Sequence, residues 1–330
     1  MYATRIILLT VLCKLAVTIA VPLHPFSDAF INLINKEGKW TAGRNFPADT
    51  PLTYIKNLIG KSVKIDLKTL PTITHDPEVV KNLPENFDPR DKWPECPTLN
   101  EIRDQGRCGA CWAFSGVAAM TDRVCIYSNG TKHFHFSAED VISCNSIGFS
   151  CFGGSVAGAW QEWVNVGIVS GGNYNSHQGC KPYSFPTCKN HMKSCTNYKP
   201  APLCVESCDD GYPIPYNKDK KRGKQLYGIL AEEQIMAELY LNGPVQASFE
   251  VYEDFANYKS GIYEHLKGVY LGEHSVKKIG WGVENGTKYW LIANSWGTGF
   301  GENGFFKTVR GANNDIDTLD VAGVPLLEDY

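Results

Sequence analysis

No cysteine follows Cys208 in this 330-residue sequence, and none stands between Cys13 and Cys96. A disulfide framework is therefore confined to one internal stretch, and the C-terminal part must hold together by packing alone. After the first twenty residues no apolar run reaches the roughly 20 residues that a membrane-spanning helix needs. No one sign of charge dominates either: 32 Lys and Arg stand against 35 Asp and Glu, for a formal net charge of -3. That balance points away from a nucleic-acid binder. The densest basic run, "KDKKRGK" at Lys218 to Lys224, is broken by Asp219 and Gly223 and reads as a solvated loop. A hydrophobic content of 43 % is enough for a sizeable core and is not that of a disordered chain.

What is present begins with "MYATRIILLTVLCKLAVTIA". Arg5 precedes an apolar run that Lys14 interrupts, and Thr18 and Ala20 offer small residues for cleavage. Residues 1–20 read as a secretory signal peptide, so the expected destination is the secretory pathway, ending in a lysosome or outside the cell, a gut lumen included. "NGT" at Asn129 and at Asn285 gives two glycan acceptors. Residues 21–82 contain no cysteine. Phe26, Ala29, Phe30, Leu33 and Ile34 recur at helical spacing, followed by "WTAGRNF" and a Pro-rich polar stretch. "LPENFDPRDKWPEC", from Leu83 to Cys96, then looks like a new beginning. Segment 21–82 reads as a pro-region; the alternative is a small N-terminal subdomain that stays attached.

Without Cys13, eleven cysteines remain, all between Cys96 and Cys208. The count is odd, so a fully bridged secreted chain keeps one thiol. "QGRCGACWAF", Gln105 to Phe114, holds a Cys-x-x-Cys pair that admits three readings: a redox dithiol, half of a zinc site, or a bridged cysteine beside a nucleophile. "CWAFSGVAAMTDRVC" predicts a buried helix starting at Cys111. Ser137 caps a second over "FSAEDVISC". "GGSVAGAWQEWVNVG" and "AEEQIMAELYLNG" predict two more. Past Pro244 the runs turn β-branched and aromatic, with Tyr289 to Ala293 the best strand. A helical half, mostly residues 83–215, is thus followed by a β half, mostly 216–330, with a cleft between them as the expected site.

A lone thiol at a helix start has a chemical use. The thiolate is the nucleophile, and a helix N-terminus and a nearby imidazolium both stabilise it. Of the eight histidines, only His274 opens a strand, "HSVKKIGWG", beside a Gly-containing turn. Asn294, in "ANSWG" after the next strand, is placed to accept the imidazole N–H. A redox dithiol explains none of Gln105, His274 and Asn294. A zinc site lacks a second Cys-x-x-Cys or His pair at suitable spacing.

"QGRCGACWAF", "EHSVKKIGWG" and "ANSWGTGFGENGFF" resemble the three active-site blocks of papain-like cysteine peptidases. "WTAGRNF", "CKPYSFPTC" and "WGVENGTKYW" resemble the cathepsin B type, and the resemblance runs from about residue 26 to the end. It implies an α+β, papain-like fold of two lobes, helical and disulfide-rich on the left, β-barrel-like on the right. It implies a peptidase acting through a thioester acyl-enzyme on peptides and proteins, made as a zymogen with residues 21–82 as inhibitor and 83–330 as the peptidase domain. Cys111 would be the nucleophile, His274 the base and acid, and Asn294 its orienting group. Trp296 would shield that hydrogen bond, and Gln105 would donate to the oxyanion. Gly153 and Gly154 would line the substrate. The implied bridges are Cys96–Cys125, Cys108–Cys151, Cys144–Cys204, Cys180–Cys208 and Cys188–Cys195, leaving Cys111 free. No cofactor or metal is implied; cystatin-like inhibitors are the further partners.

Three positions depart from the family pattern. The loop "CKNHMKSC" has Asn190 before His191 where two histidines usually hold the substrate's terminal carboxylate, so Asp104 would lose its ionic latch partner. Glu273 replaces a glycine before the catalytic histidine, placing a side chain at the substrate cleft. Leu319 falls where an acid usually closes the pocket for the second substrate side chain. The expected activity is endopeptidase with weakened carboxydipeptidase cleavage; the alternative is a papain-fold protein of low activity that works by binding.

Overall fold

Ser27 accepts a hydrogen bond from the Phe30 amide at 3.2 Å, and the apolar residues after it close into a helix with Phe30, Ile31 and Ile34 buried. The computed structural model describes residues 23–63, 70–145, 148, 150–188, 200–312 and 315–330. In chain order the N-terminal segment holds α1 (Asp28–Glu37), β1 (Thr41–Ala42), α2 (Leu52–Ile59), β2 (Lys61–Ser62), β3 (Thr72–Ile73) and α3 (Pro77–Lys81). Next come α4 (Pro89–Lys92), α5 (Cys111–Tyr127), α6 (Ala138–Cys144), β4 (Gly153–Gly154), α7 (Gly158–Asn165) and α8 (Tyr216–Asp219). The remainder is β5 (Gly223–Leu230), α9 (Glu232–Asn242), β6 (Val245–Tyr252), β7 (Tyr258–Ser260), β8 (Ile262–Tyr263), β9 (Tyr270–Glu284), β10 (Thr287–Ala293), β11 (Phe305–Val309) and β12 (Leu319–Pro325).

Helices α4 to α7 precede residue 216 and strands β5 to β12 follow it. Every residue of α5 but Tyr127 is buried, Asp122 and Arg123 included, as befits a central helix. It packs with α6, α7, Trp160 and Trp163 into one core. The second core lies on an eight-stranded sheet of order β3-β5-β12-β6-β9-β10-β11-β8. The disulfides Cys96–Cys125, Cys108–Cys151, Cys144–Cys204 and Cys180–Cys208 staple the helical lobe, and among the described residues Cys111 is the free cysteine. The pairing of Cys188 with Cys195 lies outside the described residues, as do Asn190 and His191.

Two sequence readings need correction. The Pro-rich stretch after "WTAGRNF" contains α2, whose start at Pro51 carries no side-chain cap and so gave no start signal. His274 does not open its strand: β9 starts at Tyr270 and passes through Gly272 at a register shift against Val251 and Tyr252. The bulge absorbs the glycine that looked like a turn.

Candidate active site

The free thiol sits at the first residue of α5, where backbone N–H groups have no intrahelical partner. His274 lies mid-strand in β9 and Asn294 follows the end of β10, its antiparallel neighbour, so two adjacent strands hold the pair in register. His274 Nε2 donates to Asn294 Oδ1 at 2.8 Å. That fixes the tautomer and leaves Nδ1 buried without a hydrogen-bond partner among the described residues. The Trp296 ring lies 4.9 Å from the imidazole and is itself 2 % exposed, so water is kept from the bond. The Ser295 amide also donates to Asn294 Oδ1, which locks the amide flip.

Gln105 is fully buried. Its Oε1 accepts from Ser295 Oγ at 2.7 Å, which aims Nε2 at the cleft. There Nε2 donates to two carbonyls at 2.7 Å, those of Cys108 and of Leu58 in the N-terminal segment. The next carbonyl, of Ile59, lies 3.1 Å from Cys111 Sγ. Two successive carbonyls of the N-terminal segment therefore occupy the thiol and the side-chain donor beside it. Immediately afterwards β2 pairs with β4, Lys61 against Gly153 and Ser62 against Gly154. A Cβ on Gly153, whose φ is +120°, would lie 2.1 Å from the Lys61 carbonyl, so only glycine permits this approach.

Burial sets the protonation of the pair. It pushes the Cys111 thiol up to about 11, against hydrogen bonds from Ser275, and brings the His274 imidazole down to about 4, against the bond to Asn294. Both groups are neutral in this state, so the thiolate–imidazolium pair does not form.

Glu273 is half-buried and stands directly opposite Glu250 across β6 and β9. Asp104 is not left without partners: Gly106 and Cys188 amides donate to it at 2.8 and 3.2 Å, so it holds the loop's first cysteine through the backbone. Its carboxyl is raised by burial, with those two bonds opposing. Leu319 begins β12 opposite Leu230, with its Cδ1 where a Cβ on Gly228 would press. Asn129 and Asn285 are exposed at turns, each with φ of 50°. The sequence reading missed Leu58 and Ile59, which lacked a helix signal, and Ser275 and Ser295. Both serines adjoin a residue singled out for chemistry, and that adjacency was the available signal.

The family model described as Papain family cysteine protease matches residues 83–324, and the Peptidase family C1 propeptide matches residues 26–61. A cathepsin B-like cysteine proteinase of Schistosoma japonicum is 42% identical over 314 residues, covering 92% of each chain. Cathepsin B-like cysteine proteinase 6 of Caenorhabditis elegans is 44% identical over 322 residues, covering 91% of this chain and 83% of that one. Among solved structures, procathepsin B S9 from Trypanosoma congolense superposes with a TM-score of 0.81 at 37% identity, over 92% of this chain and 99% of the other. A recombinant stem bromelain precursor, at 22% identity and a TM-score of 0.67 over 90% of this chain and 87% of that one, shares the fold. The chain belongs to the papain family of cysteine proteases, as a cathepsin B-like cysteine peptidase with its inhibitory propeptide in place.

Proposed function

We propose that this peptidase cleaves peptide bonds mainly as an endopeptidase, with a weakened carboxydipeptidase activity, once residues before the peptidase domain leave the cleft. The observation that carries the mechanism is the His274–Asn294 bond at 2.8 Å, which leaves Nδ1 for Cys111, the cysteine that is free among the described residues. His274 Nδ1 takes the Cys111 proton, and the thiolate attacks the scissile carbonyl. Gln105 Nε2 and the Cys111 backbone N–H stabilise the oxyanion; the Leu58 carbonyl now occupies Gln105 Nε2, and the Ile59 carbonyl the Cys111 thiol. The imidazolium returns its proton to the leaving amine, and water hydrolyses the thioester. A secretory route, glycans on Asn129 and Asn285, and inhibition by cystatin-like proteins belong to the same reading.

The weakened exopeptidase step rests on Asn190. A terminal carboxylate held by two imidazolium donors gains more than one held by His191 and a neutral amide. A charged hydrogen bond contributes about 1.5–3 kcal/mol and a neutral one about 0.5–1.5. The ratio of exo- to endopeptidase rates should therefore rise about tenfold in Asn190→His at acid pH, and less above the ordinary histidine pKa of about 6.5. Matched peptides, one ending in a free carboxylate and one amidated, measure it. An unchanged ratio would discard Asn190 as the cause and leave Glu273 to be tested. Labelling by a thiol-directed epoxide, lost in Cys111→Ala, separates an active peptidase from a binding protein on the same scaffold.

A further inference from the structure

Beside Asn294 a cavity lies between the two lobes, in which the centre of a water molecule can range over about 10 Å³. That is room for one water and for little else. Asn294 lines it from the β lobe, and Glu101, Arg103, Ser115 and Ala118 line it from the helical lobe. Two buried donors on this wall have no hydrogen-bond partner among the described residues: Asn294 Nδ2 and Arg103 Nε. The two residues are 3 % and 4 % exposed, so neither donor is served by bulk solvent.

Neither donor is free to turn elsewhere. Asn294 Oδ1 accepts from His274 Nε2 and from the Ser295 amide, each at 2.8 Å, which fixes the carboxamide and sends Nδ2 to its opposite edge. Arg103 is held by its outer nitrogens: Nη1 donates to the Phe136 carbonyl and Nη2 to Thr121 Oγ1, both at 3.0 Å. Its Nε lies 3.5 Å from Glu101 Oε2, too long for a hydrogen bond. A buried N–H left unpaired is costly, and one of these two belongs to the group that orients the catalytic imidazole. Acceptors line the same cavity. Glu101 accepts from His135 Nε2 at 2.9 Å and from Asn173 Nδ2 at 2.7 Å. Against burial, the Arg103 charge and those bonds hold its carboxyl well below the usual carboxylate range, so it stays an acceptor. Ser115 Oγ gives its proton to the Cys111 carbonyl at 2.7 Å, which leaves its lone pairs to accept.

We propose that this cavity binds one structural water, which accepts from Asn294 Nδ2 and Arg103 Nε and donates to the Glu101 carboxylate and Ser115 Oγ, and that this water helps to position the catalytic imidazole. Two donors and two acceptors around one site match what a single water offers. An anion fits less well, because the Glu101 carboxylate lines the cavity. Ser115 lies one turn along α5 from Cys111. The water therefore links the strand pair that carries the imidazole to the helix that carries the thiol. The proposal rests on the reading of Asn294 as the group that orients His274.

The test begins with crystals of the intact chain that diffract well enough to show ordered water. One full density peak is expected in the cavity, at hydrogen-bonding distance from Asn294 Nδ2 and Arg103 Nε. An empty cavity, or a carboxamide turned onto a protein carbonyl, would overturn the proposal. So would an anomalous peak at the site after a bromide soak. Ala118→Val fills the cavity from α5 and should displace the water. In the processed enzyme kcat should then fall about tenfold, with KM near the parent's, as loss of one buried hydrogen bond to the orienting amide implies. Ala118→Gly leaves the cavity open and should keep both the peak and kcat. Parental kcat in a valine variant whose crystals lack the peak would show that the water plays no part in positioning. Should the valine variant not fold, Ser115→Ala, which removes one acceptor and adds no bulk, should weaken the peak and lower kcat about threefold. Parental kcat beside a weakened peak would again overturn the positioning role. A peak in a chain that never hydrolyses peptides would sink the proposed function and leave the water site standing. An empty cavity in an enzyme that hydrolyses would do the reverse.

Discussion

Cys111 and Cys108 stand three residues apart, the first free and the second bridged. Cys108 bridges to Cys151, whose carbonyl accepts from the Gly109 amide, so the bridge fixes the strand edge at Gly153 relative to the thiol. Cys108→Ala should lower stability by about 2–5 kcal/mol, the ordinary cost of losing a native bridge, whereas Cys111→Ala should leave the denaturation midpoint near the parent's and abolish hydrolysis. A reversed pattern in denaturant melts would reassign the nucleophile. The thiol itself reports on the zymogen. With its pKa raised to about 11 by burial, the thiolate fraction at pH 6 is about 10⁻⁵. Release of the segment removes that burial and lets the helix N-terminus and His274 act. Alkylation of Cys111 at pH 6 should therefore accelerate at least about a hundredfold on removal of residues 23–63. Equal rates before and after removal would show that burial under Ile59 does not control the thiol.

At the scale of elements, the turn from α2 into β2 decides whether the cleft is closed. Gly60 has φ of +66°, and a Cβ there would lie 2.9 Å from the Gly109 carbonyl and from Gly153 Cα. Gly60→Ala adds backbone strain of roughly 1–2 kcal/mol and forces two chain segments apart. The zymogen should then label at Cys111 about tenfold faster or more at acid pH, while the processed enzyme, lacking the residue, is unaffected. Unchanged labelling would mean that this backbone contact does not keep the cleft shut. α2 also shows where legibility ended. The helices at Cys111, Ser137 and Glu232 were readable because caps or continuous apolar runs mark them. The pairing of His274 with Asn294 was readable because its motif blocks are long and ordered. α2 is short and begins at an uncapped proline, and β3 is two residues long, so neither leaves a periodic pattern to count. Their structure is imposed by surfaces of the peptidase domain, which a local window does not contain. The same holds for Asp104, whose backbone donors depend on a loop folded beside it.

Over the whole molecule, the two lobes are joined by buried charge as well as by packing. Lys277 on β9 lies 2.7 Å from Asp122 on α5, and both are buried. The neighbouring Arg123 reaches the other way, to the Gly323, Gly243 and Pro244 carbonyls, to Tyr227 and to Glu238. A buried pair of this kind contributes little net stability over an apolar replacement, but breaking it costs about 3–5 kcal/mol because a charge is left unpaired. The pH dependence follows from Glu238, whose carboxyl is held at about 2 against an ordinary 4.5. A depressed carboxylate contributes stability that is fully present above the unfolded value and is lost as pH falls toward the folded one. At 1.36 kcal/mol per unit the contribution is about 3 kcal/mol, constant from neutral pH to about 4.5 and fading from there to about 2. The intact zymogen should accordingly keep a level contribution from this site across the mildly acid range and lose it only below. Glu238→Gln should lower stability at pH 6 by about 3 kcal/mol or more, and the gap to the parent should narrow as pH drops from 4.5 to 2, because protonation removes in the parent what the substitution removed in the variant. Denaturant melts of both proteins at pH 6, 4 and 2.5 measure the gap. A gap of constant size across that range would show that Glu238 does not titrate on unfolding, and the network around Arg123 would then owe its strength to packing and neutral hydrogen bonds alone.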